Sequence, residues 1–221
     1  MKKKTLTIAI ALVLVVALAV GATWAYLTAT AGPVKNTFVA GTILDNDNNF
    51  TLNEHPLSNE NATDGKYELN MGADPVTSVT YGAVMPGVDL PKDPTVTIKA
   101  NALKADAYLF VVVDNQLASE LTFDVGSDWT KIGENSTKTK TLYTITAGKL
   151  IAGNTTARAW HILDKDTVVV ADVINSANLG TLTFNAYLVQ AGGFTSAAAA
   201  WNANGGFDTG IANAAMPTVG A

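Results

Sequence analysis

The sequence predicts an all-β, jelly-roll-like β-sandwich with one short C-terminal helix. Three observations lead there. Short apolar, β-branched stretches recur between turn residues along most of the chain. No βαβ rhythm and no repeat of fixed period interrupts them. Apolar residues make up 48% of the 221 residues and charged residues only 15%, and Thr, Val, Ala and Gly are prominent, as suits a β-rich extracellular protein. That length allows one domain, with or without tails, to bury a real core.

The chain opens on MKKKT, a positive region, and Ile8–Val20 is an uncharged apolar run of secretory-signal length. Thr23-Trp24-Ala25 ends on a small residue, so cleavage is expected after Ala25 or Tyr26, with Ala29-Thr30-Ala31 as a second site. The alternative is a retained anchor, since Leu6–Leu27 is just long enough to span a bilayer. Trp24 sits at the membrane-exit end of the run, where an interfacial aromatic is expected. The expected division is 1–26 signal peptide, 27–40 N-terminal segment, 41–202 jelly-roll domain and 203–221 flexible tail.

Strands are expected next in close order. Asn36–Leu44 is apolar and β-branched, and Asp45–Asn49 is a turn. Leu52–Gly65 is polar and reads as a surface excursion. Thr77–Val84 alternates and ends at the Pro86-Gly87 turn. Thr95–Lys99 alternates behind Pro94, and Ala107–Val113 is almost continuously apolar, as a central strand would be. Glu120–Val125, Trp129–Ile132, Thr141–Thr146, Arg158–Leu163 and Thr167–Val173 come after it, and Thr181–Val189 is the last and longest. Thr195–Asn202 is the one helix, with Thr195 as its cap and an alanine run inside. From Ala203 the chain is Gly/Asn/Ala-rich with one Pro and reads as a flexible tail, or as a tail ordered only by contact.

Formal net charge is −5. Without Lys2, Lys3 and Lys4, 11 basic residues face 19 acidic ones, a balance of −8. Such a chain has no electrostatic reason to bind nucleic acid or anionic lipid. It has no cysteine, which excludes disulfides, thiol catalysis and Fe–S clusters. Its two histidines, His55 and His161, cannot form HExxH, so Glu54-His55 alone makes no zincin site. Asp45-x-Asp47-x-Asn49 matches the start of a calcium loop, but Phe50 and Pro56 stand where Gly and Glu are needed. No G-x-S-x-G, P-loop or G-x-G-x-x-G is present, and no carboxylate pair is singled out for glycosidase work. Asn61, Asn135 and Asn154 head glycosylation sequons, a motif frequent by chance in Asn/Thr-rich chains. Trp129, Trp160 and Trp201 are assigned to packing, with a carbohydrate-binding face as the alternative. No catalytic residue, cofactor or metal ligand is assigned, and the chain is not read as an enzyme.

Four stretches in this order resemble one family. They are GATWAYLTATAGPVKNTFVAGTI, carrying Asn36-Thr37-Phe38-Val39-Ala40-Gly41-Thr42; VMPGVDLPKDPTV (Val84–Val96); AYLFVVV (Ala107–Val113); and AYLVQAGGFTSAAAAW (Ala186–Trp201). Together they resemble the TasA and camelysin-like surface proteins, while Glu120–Asp172 and the loop at 45–65 match only loosely. The resemblance implies a dedicated signal peptidase and a jelly-roll subunit of an extracellular fibre or pilus in a biofilm matrix or at the cell surface. It also implies head-to-tail self-assembly by donor-strand complementation, with an initiator or anchor protein as a further possible partner. Camelysin-like proteins have carried a metalloprotease label, which the missing histidine spacing argues against here.

The residues themselves suit a donor. In Leu27–Val39, Thr28, Thr30 and Thr37 are strand formers, and Leu27, Val34, Phe38 and Val39 could fill pockets. Pro33 would interrupt a ladder. A head-to-tail contact that does not close gives an open filament. The alternatives are that this segment is the first strand of its own sheet, or that the chain is a membrane-anchored or secreted monomeric surface domain.

Overall fold

The computed structural model describes residues 28–31, 43–59, 62 and 64–215. The expected cleavage residues Ala25 and Tyr26 lie outside them, as do Leu27, Val34, Thr37, Phe38 and Val39 of the expected donor segment. The described chain is an all-β sandwich with one short C-terminal helix. The strands are β1 Thr28–Ala31, β2 Phe50–Asn53, β3 Leu90–Pro91, β4 Thr95–Ile98, β5 Ala107–Asn115, β6 Leu121–Thr122, β7 Trp129–Glu134, β8 Lys140–Ile145, β9 Arg158–His161, β10 Thr167–Val170 and β11 Leu182–Gln190, and the helix, α1, is Ala197–Ala203. A five-stranded sheet runs in the order β1-β11-β5-β8-β7. Two smaller sheets, β3-β10-β6 and β2-β4-β9, cover one of its faces, and every pairing is antiparallel.

The apolar run of β5 explains this layering. All of Ala107–Val113 is buried, which requires cover on both faces, because successive side chains point to opposite sides. Leu109, Val111 and Val113 join Ala186 and Leu188 of β11 in the core under the small sheets. Tyr108, Phe110 and Val112 join Tyr187 and Val189 in a second core under α1. Trp201 anchors that second core. Its ring is fully buried, 5.2 Å from Phe110 and 5.5 Å edge-on from Tyr187 by centroids. The helix cap is Ser196, not Thr195: Ser196 is extended, and its hydroxyl accepts from the Ala199 N–H at 3.1 Å.

Of the two readings of the C-terminal stretch, a flexible tail gives way as far as Ala215 to one ordered by contact. Ile211 and Ala214 are buried in the second core. Trp201 Nε1 donates to the Ile211 carbonyl at 2.7 Å, and Asn202 exchanges two hydrogen bonds with the Ala214 backbone. The Ala215 N–H donates to Ile132 O on β7. Gly206 makes the tight return possible: φ is +69°, and a Cβ there would lie 2.2 Å from Ile211 O. Composition alone hid these anchors, since two apolar residues and a well-placed glycine suffice to order the segment.

Four other stretches differ from expectation. Thr77–Val84 forms no ladder and is irregular. The polar excursion from Leu52 begins with the end of β2 and is tied down by the bridges Glu54–Val76 and Leu57–Leu69, with Leu57 buried. Glu120–Val125 shortens to β6 plus an isolated bridge between Val125 and Leu163. Of Asn36–Leu44, the described part, Ile43 and Leu44, makes one bridge, Leu44 to Leu103.

Candidate functional site

The feature best suited to an interaction is the edge of β11 and the cleft that continues it. On its inner side β11 pairs with β5 over its whole length, from Leu182 opposite Asn115 to Gln190 opposite Ala107. On its outer side it carries only β1, with Thr28 opposite Val189, Thr30 opposite Tyr187 and Ala31 opposite Ala186. Thr28 and Thr30, two of the expected donor residues, are thus placed on their own chain's sheet. The edge from Leu182 to Asn185 has no strand on that side among the described residues. An open edge is a template for another extended chain.

Beside that open edge lies a cleft of about 670 Å³. Residues 177–184 form one wall and residues 76–82 the other, with Leu90 and Val168 of the small sheet between them. The 76–82 wall is pinned at both ends. Val76 exchanges hydrogen bonds with Glu54. Tyr67 OH donates to Ala83 O at 2.7 Å and accepts from Ala83 N at 2.6 Å. Tyr81 OH donates to Pro91 O at 2.5 Å, and its ring meets Tyr67 edge-on at 5.2 Å. Burial, then the nearby Glu54 and Asp93 carboxylates, push the Tyr81 phenol well above its usual value, so it remains a donor. In the opposite wall, Gly180 turns the chain at φ +82°, where a Cβ would collide with Gln116 O.

An ion pair lines the floor, and a histidine–carboxylate contact lies next to it in sequence. Lys92 Nζ lies 2.7 Å from Glu54 Oε2, both side chains only 9% exposed, and 5.9 Å from the centroid of the Phe184 ring. His55 Nδ1 lies 2.6 Å from Asp93 Oδ2, and the His55 N–H donates to Asp93 Oδ1. Sequence reasoning missed this cluster because its members are 38 positions apart. The register of β2 on β4 would have found it: Asn53 faces Thr95, so the next pairs bring residue 55 to residue 93. The cluster fastens β2 to the segment after β3.

The remaining singled-out residues have structural partners. His161 contacts Asp166 at 2.8 Å in an exposed position. Asp45 reaches Lys104 at 3.4 Å, while Asn46 Oδ1 accepts from Asn48 N in a local turn. Among the described residues no group of three or more His, Asp or Glu is placed to hold a metal ion. Trp129 is buried and donates to His161 O, and half-buried Trp160 packs against the main core. Asn154 of the third sequon is buried, with its amide bonded to Lys99 O and Thr156 O, so it offers no acceptor to a sugar. No helix among the described residues is long and apolar enough to cross a membrane. The fold defines the chain as an all-β sandwich with a sheet edge that the described residues cover only in part. Comparison with known proteins finds no matching family model, no matching curated protein and no matching solved structure.

Proposed function

We propose that this chain is a secreted structural subunit of an extracellular fibre, at the cell surface or in a matrix, and that it polymerises head to tail by donating its N-terminal segment to the sheet edge of the next copy. The role is structural and not catalytic. Its partners are other copies of itself, the signal peptidase during export, and an initiator or anchor.

One observation carries the reading: the N-terminal Thr28–Ala31 is the outermost strand on β11. The four strands inward of it form a continuous sheet without it. A terminal edge strand on a tether can be exchanged for the same strand of another copy, with the same ladder made between chains. The same observation also suits the monomeric surface domain, in which β1 stays at home. Negative-stain electron microscopy of concentrated Leu27–Ala221, beside the same protein lacking Leu27–Val39, separates the two. Regular filaments are expected from the longer protein, and a folded monomer by circular dichroism and sedimentation from the shorter. Undiminished filaments from the truncation would overturn strand donation, and a persistent monomer from both would favour the surface domain.

A further inference from the structure

We infer that the C-terminal strap, residues 204–215, is an edge guard: lying along β7, it keeps that edge of the five-stranded sheet from pairing with β7 of a second copy. This role is separate from strand exchange at β11 and stands with or without it.

The outer strands of the sheet are β1 and β7, and among the described residues no strand lies beyond β7. Ile132 is left out of the paired positions where the register of β7 on β8 shifts between Lys131 and Gly133, as at a β-bulge. Its carbonyl accepts instead from Ala215 N at 2.8 Å. The rest of the strap runs beside it. A Cβ on Gly133 would lie 3.0 Å from Ile211 Cγ2 and 3.5 Å from Ala214 Cα, and one on Gly210 would lie 3.7 Å from Asn135 Cβ. From Gly210 to Ala215 the strap thus passes from Asn135 back to Ile132, antiparallel to β7, across the space a further strand would take. Trp201 on the Ile211 carbonyl and Asn202 on the Ala214 backbone pin it from behind. Ala215 itself is exposed, so its bond serves the edge and not the core.

The route of the strap is set by strained backbone. Gly205, Gly206, Phe207 and Asp208 have φ of +63°, +69°, +51° and +59°. The left-handed region is ordinary for the glycines and unfavourable for Phe207 and Asp208. Such backbone persists only where its surroundings over-determine it, and it gathers at segments with a function. Here the Phe207 ring lies 4.8 Å from Tyr187 and 5.0 Å from Trp201 by centroids, and Thr209 donates to the Gly206 carbonyl through both its N–H and its hydroxyl. Charge identifies what the guard excludes. Lys131 and Glu134 are exposed on β7, 2.6 Å apart. Two β7 strands laid antiparallel about a two-fold axis between Ile132 and Gly133 set Lys131 of each against Glu134 of the other. Opposite charges facing across strands favour pairing, and a two-fold contact uses the same patch twice. The charges that usually blunt an edge therefore do not blunt this one against its own copy.

The test compares Leu27–Ala221 with two released forms, Asn202→Ala combined with Ile211→Ser, and a chain ending at Gly210. Circular dichroism checks folding, and limited proteolysis within residues 204–215 checks that the strap of the double variant has opened; where it stays closed, the shortened chain decides. If the parent is a monomer, the released forms are expected to sediment as dimers. If the parent forms filaments, those of the released forms are expected to join side by side in the microscope. Adding Lys131→Glu should return each released form to the parent's state, because like charges would then meet. Lys131→Glu together with Glu134→Lys should restore the association. Folded, released protein that stays in the parent's state would overturn the guard. Association indifferent to Lys131→Glu would overturn β7 as the paired edge. Loss of the fold in both released forms would overturn the guard too, making the strap a part of the sheet's core. A parent that never forms filaments counts against the fibre reading alone, since the dimer of the released forms is read independently of it.

Discussion

Replacing Glu54 with Gln tests how firmly the floor of the cleft is held. Glu54 and Lys92 are 2.7 Å apart with side chains 9% exposed. At an effective dielectric near 20, two unit charges at that separation attract by about 6 kcal/mol. The gross attraction is largely offset by the several kcal/mol spent on desolvating each ion. Removing one partner keeps the desolvation of the other and loses the attraction, which costs about 3–5 kcal/mol. Lys92 would be left with the face of Phe184 at 5.9 Å, a contact too weak to replace a carboxylate. With a urea m-value of about 1–3 kcal/mol/M, the unfolding midpoint should fall by roughly 1–5 M. Glu54→Leu combined with Lys92→Met should recover most of the loss, since apolar replacement of a whole buried pair is often neutral. A loss below about 1 kcal/mol for Glu54→Gln, well under the range for a broken buried pair, would refute the assignment of a buried ion pair to this floor.

The packing sets two further outcomes. Trp201→Ala should cost about 3–5 kcal/mol by denaturant unfolding and open residues 204–215 to protease, because the indole fills the second core and holds the Ile211 carbonyl; a loss under about 1 kcal/mol, below that range, would show that α1 is not anchored this way. Glu120 accepts from the Ser176 hydroxyl and from the Asn175 and Ser176 N–H groups, and the Ser176 hydroxyl first, then the residue's own backbone N–H and that of Asn175, bring its carboxyl from 4.5 down to about 2. Its folded value lies below its unfolded one, so its stabilisation is complete above about pH 4.5 and is lost as the pH falls toward about 2. The difference in melting temperature between the parent and Glu120→Gln should therefore narrow across that window, and a constant difference would refute the pinning role.

Where a stretch is buried on a regular period, its sequence announced it. β4, β5, β8 and β11 lie within a residue or two of the expected ranges, because alternation or a continuous apolar run records the faces to be covered. Thr77–Val84 alternates just as clearly and forms no ladder. Alternation tells which face could be buried, but not whether a neighbouring strand is there to pair. The cleft was illegible for the same reason, being made by an absence of pairing between segments about 100 positions apart. Burial in the C-terminal stretch rests on the isolated apolar residues Ile211 and Ala214, which have no period to detect. The N-terminal segment was legible as strand-forming, and Thr28–Ala31 is a strand. Whether it pairs at home or abroad is not encoded in its propensity.

Pairing at home or abroad sets what the proposed fibre requires. The ladder of Thr28–Ala31 on β11 would be the same in either chain, so its energy cancels between the two arrangements. Tethering favours the home chain: a short linker gives an effective concentration of the order of 1 mM. Against free chains at about 1 µM this is a thousandfold preference, or about 4 kcal/mol. On the fibre reading proposed above, contacts that the home chain cannot make must therefore supply about that much before the strand changes hands.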